Sequence, residues 1–171
     1  VKPRTAEKNL GARSRIKALK ILVVEDHADM RSGLAALFKL FGCRVRFAPD
    51  VAAARAAIQE EHFDVLLSDI NLPDGSGWEF LRELQALDRR LVMAIAMSGF
   101  GSDKDISASR EAGFDLHLVK PFAPEELTAA LERAAAALQQ KESQAVSTPR
   151  KRKLAHLRSD GGPAPYIYPC G

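Results

Sequence analysis

The sequence lacks any uninterrupted apolar stretch near the roughly 20 residues that a membrane-spanning helix needs, so no helical span is expected in this segment. It also lacks a signal-peptide core, because the basic residues that follow Val1 are not joined by a hydrophobic run. No membrane contact by this segment and a cytoplasmic location are therefore expected. Cysteine is scarce: Cys43 and Cys170 lie far apart and make no metal-ligand spacing, and nothing argues for an oxidising compartment. Cys43, beside an apolar run, reads as a small core residue, and Cys170 as a free thiol in a tail. There is no internal repeat. The missing initiator methionine suggests a piece of a longer protein.

What is present suits one soluble domain with a real core and extensions at both ends, given 171 residues of which 46% are hydrophobic and 27% charged. The net charge of +3 hides an asymmetry. Residues 1–20 carry seven Lys/Arg against one acid, and residues 141–171 carry six against two, so the stretch between them is −7. An acidic body disfavours nucleic-acid binding by the body and leaves the tails as the only candidates. The cluster PRKRKLAHLR (149–158) reads as a solvated basic run, and Tyr166 and Tyr168 among prolines as a possible docking peptide with no identifiable partner.

Short apolar runs alternate with longer helical patterns between residues 20 and 140. The runs KILVV (20–24), CRVRF (43–47), DVLLS (64–68), LVMAIAM (91–97) and LHLV (116–119) predict strands, several of them apolar enough to be covered on both faces. Between them, Asp29 to Phe41 places Met30, Leu34, Leu37 and Phe41 on one helical face, and Gly42 ends it. Asp50 can cap a helix from Val51 to Glu60. Ser76 or Gly77 opens another, with Phe80, Leu81, Leu84 and Leu87 inward. A more polar helix spans Ser102 to Ala112, and Pro124 suits the first turn of the last, which buries Leu127, Leu131 and Leu138. Five βα units in series predict an α/β fold with right-handed crossovers. Residues 1–19 read as a basic linker, although Ile16 to Leu19 could extend a helix, 20–141 as the domain, and 142–171 as a basic, disordered tail.

In such a sheet, functional groups collect at the carboxyl ends of the strands. Glu25 and Asp26 follow the first strand and Asp69 the third, so three carboxylates converge if those strands are neighbours. Like charges that close raise one another's pKa unless something offsets them, and Mg²⁺ does so while keeping several waters. For Glu25 and Asp26 alone, simple capping of the next helix is an equal alternative. Ser98 follows the fourth strand and Lys120 the fifth, adding a hydroxyl and an ammonium. An ammonium beside a bound cation makes sense when further negative charge arrives, as on a phosphoryl group. Asp69, on the expected central strand, is then the best candidate for the carboxylate that is phosphorylated. Gly99 leaves space for a phosphoryl donor, or is an ordinary turn glycine.

The blocks ILVVEDHADMR, VLLSDINLPDGSGWEFL, AMSGFG and HLVKPF resemble, in order, those of response-regulator receiver domains, the CheY-like family. The resemblance spans residues 20–141. It implies a flavodoxin-like, doubly wound five-stranded parallel sheet of order 2-1-3-4-5 flanked by five helices. It implies Mg²⁺, with Mn²⁺ able to substitute, held by Glu25, Asp26 (the more direct ligand), Asp69 and the backbone carbonyl of Asn71. It implies Asp69 as phosphoacceptor, Ser98 and Lys120 as catalytic partners, and a Lys120–Pro121 bond that is usually cis. His117 stands where the family often has Tyr or Phe. Its ring can still take part in the switch with Ser98, although imidazole is smaller and titrates near neutrality.

The family's partners are a histidine kinase or a histidine-containing phosphotransfer protein. SGFG…SREAGFDLHLVKP is similar to receivers of hybrid sensor histidine kinases, and residues 142–171 leave no room in this sequence for a winged helix. Receivers catalyse their own aspartyl phosphorylation and dephosphorylation, without metabolic activity. A phosphorylation-independent interaction module is the alternative, against which the intact set of Glu25, Asp26, Asp69, Ser98 and Lys120 argues. A haloacid-dehalogenase-type enzyme expects a second Asp where this chain has Asn71. Trp78 reads as structural, His27 as a surface residue that could touch a bound ligand, and His62 and His156 have no partners at metal-ligand spacing.

Overall fold

Successive residues of a strand face opposite ways, and that alternation here divides the chain between two hydrophobic clusters. The computed structural model describes residues 15–99 and 101–147. The basic run 149–158, His156, Tyr166, Tyr168 and Cys170 lie outside the described residues. The main sheet contains β1 (Lys20–Val24), β2 (Arg44–Ala48), β3 (Val65–Asp69), β6 (Met93–Ser98) and β7 (Leu116–Val119). Between β3 and β6, the two-residue strands β4 (Asn71–Leu72) and β5 (Gly75–Ser76) form an antiparallel ribbon that the sequence pattern does not announce. The helices are α1 (Ala28–Phe41), α2 (Val51–Glu60), α3 (Gly77–Ala86), α4 (Asp103–Glu111) and α5 (Pro124–Ser147).

The main strands are parallel in the order β2-β1-β3-β6-β7, which is the expected 2-1-3-4-5 order once the ribbon is left uncounted. Ile21 and Val23, Val65 and Leu67, and Met93, Ile95 and Met97 pack with Leu34, Phe38 and Phe41 of α1 and with Leu127 and Leu131 of α5. Their neighbours Leu22, Val24, Leu66, Ala94 and Ala96 pack with Val51, Ala54 and Ala57 of α2 and with Phe80, Leu81 and Leu84 of α3. The central strands are thus apolar at nearly every position because each face has its own core. Half-buried Cys43 packs against the first cluster, and burial pushes its thiol pKa up.

Local chemistry ends the elements where the turns require. Asp50 accepts the Ala53 N–H at 2.7 Å to cap α2. Gly42, at φ +70°, closes α1 with its N–H on the Phe38 and Lys39 carbonyls.

Some expectations need correction. Ile16 and Leu19, assigned to a linker, are fully buried in the first cluster, because the turn from Arg15 brings both against α1 and the sheet. The last helix continues past 141 to Ser147, since residues 142–147 contain no Gly or Pro to stop it. Leu87 does not face inward. α3 ends at Ala86, Asp88 turns back at φ +52°, and Leu87 is 63% exposed. Phe38, absent from the expected apolar face of α1, is among the largest fully buried side chains.

Phe38→Ala should lower the unfolding free energy in urea by about 3–5 kcal/mol. Leu40→Ala, at a site 77% exposed, should change it by less than about 0.5 kcal/mol.

Candidate functional site

Parallel strands end at one edge of the sheet, and the chain places most of its inward-facing charge there. The Glu25 N–H donates to the Ala48 carbonyl at 3.0 Å, extending the β1–β2 pairing by one residue and carrying the Glu25 side chain to full burial. Asp69 is the last residue of β3 and lies between β1 and β6, 6% exposed. Its Oδ1 accepts the Asn71 N–H at 2.9 Å. Lys120 directly follows β7, its peptide bond to Pro121 is cis, and its N–H donates to the Ser98 carbonyl at 2.7 Å.

The Lys120 ammonium ties these strand ends together. Nζ donates to Glu25 Oε2 and to Asp69 Oδ2, each at 2.5 Å. Burial alone pushes the lysine pKa down, but hydrogen bonds and attraction from both carboxylates outweigh it and hold the pKa above its ordinary value. Lys120 is therefore charged at neutral pH. The stabilisation linked to that charge is complete below the unfolded lysine pKa and is lost as pH rises through the still higher folded one.

Asp26, half-exposed, adds a third carboxylate. Its Oδ1 is buried and, among the described residues, is assigned no hydrogen bond. The His27 Nδ1 approaches that oxygen to 2.8 Å but makes its hydrogen bond with Glu25 Oε1 at 3.2 Å. Although the ring is exposed, Asp26 first and Glu25 second hold the His27 pKa above its ordinary value. Glu25, Asp26, His27 and Asp69 each offer one ligand atom, all within 4.8 Å of one another. Three carboxylates so close form a donor set that fits a hard divalent cation.

Several residues at this edge escaped the sequence reading. Arg31, one turn into α1, donates through Nη1 to the carbonyls of Glu25 at 2.8 Å and Asp26 at 2.6 Å, clamping the acidic loop onto the helix. Gly77 starts α3 so close to the acceptor strand that an added Cβ would sit 2.3 Å from the Asp69 carbonyl oxygen. No spacing rule points to either, since both act on backbone. The ring of His117, reached from β7, lies with Nε2 2.9 Å from Ser98 Oγ and Nδ1 2.8 Å from Ser109 Oγ. Trp78 Nε1 donates to the same Ser109 oxygen at 3.0 Å.

The residues singled out in the sequence thus gather at one edge. Glu25, Asp26, Asp69 and Lys120 are in mutual contact or within ligand reach. Ser98 ends β6 next to them, with its hydroxyl on His117. Asn71 meets Asp69 through its amide. A Cβ added at Gly99 meets nothing within 4 Å, so the rim is open there. His62, expected to lack metal partners, lies 3.9 Å from Asp64 and away from this cluster.

Comparison with known proteins gives a consistent picture. The family profile described as response regulator receiver domain matches residues 21–132. The transcriptional regulatory protein PrrA of Mycobacterium tuberculosis is 33% identical over 141 residues, covering 82% of this chain and 59% of that protein. The phosphate regulon transcriptional regulatory protein PhoB of Escherichia coli K12 is 32% identical over 116 residues, covering 67% of this chain and 51% of that protein. The chain therefore spans about half to three-fifths of the length of these curated relatives.

Among solved structures, a CheY-like receiver domain protein from Methanospirillum hungatei JF-1 superposes with a TM-score of 0.65 at 28% identity, covering 72% of this chain and 98% of that one. The receiver domain of a sensor histidine kinase from Pseudomonas aeruginosa PAO1 gives a TM-score of 0.63 at 29% identity, covering 69% of this chain and 98% of that one. That structure has a magnesium ion coordinated in its active-site cleft.

Two substitutions should move stability in opposite directions when no divalent cation is added. Asp26→Asn relieves like-charge repulsion and should raise the unfolding free energy by about 1 kcal/mol. Lys120→Met strands buried Glu25 and should lower it by about 3 kcal/mol, the low end of the range for a buried pair because the lysine side chain is 20% exposed. Urea denaturation at neutral pH reads both.

Proposed function

The chain belongs to the response regulator receiver domain family of two-component signalling, and on that premise we propose that Asp69 accepts a phosphoryl group from the phosphohistidine of a histidine kinase or a histidine-containing phosphotransfer protein. The observation that carries the proposal is the Lys120 ammonium held at 2.5 Å on both Glu25 and Asp69. A cation so placed offsets part of the negative charge at rest and can pass from the Asp69 carboxylate to a phosphoryl oxygen without leaving Glu25. The convergence of Glu25, Asp26 and Asp69 ligand atoms within 4.8 Å adds support for a divalent cation.

In the proposed reaction, an Asp69 carboxylate oxygen attacks phosphorus in line while the P–N bond to the donor imidazole breaks, its electron pair returning to the ring nitrogen. Glu25, Asp26, Asp69 and the Asn71 backbone carbonyl would hold Mg²⁺, or Mn²⁺ in its place. When bound, that ion supplies charge neutralisation for the phosphoryl oxygens. Ser98 donates its hydroxyl hydrogen to one phosphoryl oxygen and Lys120 donates to another. Open space at Gly99 admits the donor. The His117 ring, in contact with Ser98, carries the new state to the surface formed by α4, β7 and α5.

The matched relatives include transcriptional regulators and the receiver of a sensor histidine kinase. The phosphoacceptor chemistry is the part of the reading that does not depend on which of these architectures the parent protein has.

Incubation with a small acyl phosphate and Mg²⁺, followed by intact mass measurement, should add one phosphate to the wild type and none to Asp69→Asn. Chelation of the cation should abolish labelling. Full labelling of the Asn variant, or labelling that survives chelation, would sink the mechanism.

A further inference from the structure

Two residues outside the acidic cluster complete a line of hydrogen bonds running from α3 to the edge of the site. Trp78 stands at the start of α3 and Ser109 near the end of α4, His117 is on β7 and Ser98 ends β6. Ser109 is 1% exposed and Ser98 2%. From Trp78 Nε1 to Ser109 Oγ is 3.0 Å, from Ser109 Oγ to His117 Nδ1 2.8 Å, and from His117 Nε2 to Ser98 Oγ 2.9 Å. We propose that Trp78 and Ser109 are positioning residues that hold His117 as its Nε2–H tautomer, turned onto Ser98. The proposal rests on the receiver reading for its purpose, but not for its geometry.

The direction of the line follows from what each group can donate. Indole Nε1–H donates and never accepts, so the Ser109 oxygen must be the acceptor in the first bond. The hydrogen of the Ser109 hydroxyl is then available to Nδ1, and a buried hydroxyl hydrogen left without an acceptor is costly. With Nδ1 accepting, the neutral ring carries its proton on Nε2 and donates it to Ser98 Oγ. The three donors all point from α3 towards the site. Ser98 accepts from the ring, so its own hydrogen is not committed to His117.

The opposite arrangement is costly at Ser109 and reverses the bond at Ser98. Nδ1–H pointing at Ser109 would give that oxygen two incoming donors and leave its own hydrogen to find another acceptor in a buried position. Nε2 would then become an acceptor and draw the hydrogen of Ser98 onto the ring, away from a phosphoryl oxygen. Imidazole has polar atoms at two ends, and fixing one end with a serine sets the donor character of the other. Neither Trp78 nor Ser109 bonds the carboxylates, so their effect on phosphoryl sensing passes through His117.

Long-range proton–nitrogen NMR of the ¹⁵N-labelled, unphosphorylated protein, at a pH where His117 is neutral, reads the tautomer directly. The wild type should show the Nε2–H form in clear excess. Ser109→Ala should cut that excess by roughly three- to tenfold, the effect of losing one ordinary hydrogen bond. Ser109→Thr, which keeps the hydroxyl, should restore it, and Trp78→Phe should reduce it by a smaller factor. A wild type dominated by Nδ1–H, or an excess unmoved by Ser109→Ala, overturns the proposal. If Ser109→Ala does not fold, the wild-type tautomer and Trp78→Phe still decide it. Intact mass of the wild type after acyl phosphate treatment is run beside the spectra. A wild type that takes no phosphate counts against the receiver reading and leaves the tautomer result standing, whereas a phosphorylated wild type with the wrong tautomer fails only the positioning.

Discussion

Crowding of negative charge at the carboxyl edge of the sheet is the constraint on which the rest of this structure depends. Glu25 is fully buried, Asp69 nearly so, and Asp26 adds an oxygen that, among the described residues, only the exposed His27 ring approaches. One ammonium, from Lys120, spans two of the three. Such a cluster is poor for stability, and its donor set suits a hard divalent cation. The apparatus around it keeps the carboxylates from relaxing apart. Pairing of β1 with β2 carries Glu25 inward, Arg31 grips the carbonyls behind the acid pair, and the Asn71 amide fixes one oxygen of Asp69.

What could be read from the sequence follows from what strands and helices make periodic. The strand ends were legible because each apolar run stops at a polar residue, and Glu25, Asp26, Asp69, Ser98 and Lys120 all stand at such stops. The pairings Asp69 with Met97 and Ser98 with Val119 show that Asp69 and Ser98 end their strands rather than follow them, a shift of one residue. Residues that come to the site from helices were not legible. Ser109 sits in a helix of mostly polar residues whose rotation about its axis is set by packing, so its hydroxyl reads like any solvated serine. Gly77 matters because the Asp69 carbonyl is close, a fact of tertiary approach. Leu87 misled for a related reason: helical spacing continues through it, but the helix does not.

The two faces of the sheet divide the labour around this edge. α1 and α5 cover one face and α2 and α3 the other. The acidic loop is clamped from α1, whereas Trp78 and Ser109 meet His117 from α3 and α4. Groups that hold charge and groups that orient the imidazole thus belong to different layers, joined through β6 and β7.

α5 begins four residues after Lys120 and runs for 24 residues, while the strands it crosses have four to six. Leu127, Ala130, Leu131, Ala134 and Ala135 are buried against the sheet. Lys141 reaches the Leu91 carbonyl near the opposite edge, and residues 141–144 beyond are exposed. A helix of that length measures about 36 Å. Its root lies beside the charged pocket, and Lys141, about three turns past Leu131, touches the chain just before β6. Simple leverage then applies: a tilt of about 5° at the root sweeps the tip through about 3 Å over that span. A tilt that began among the carboxylates would therefore be larger at the far end of α5 than at its root.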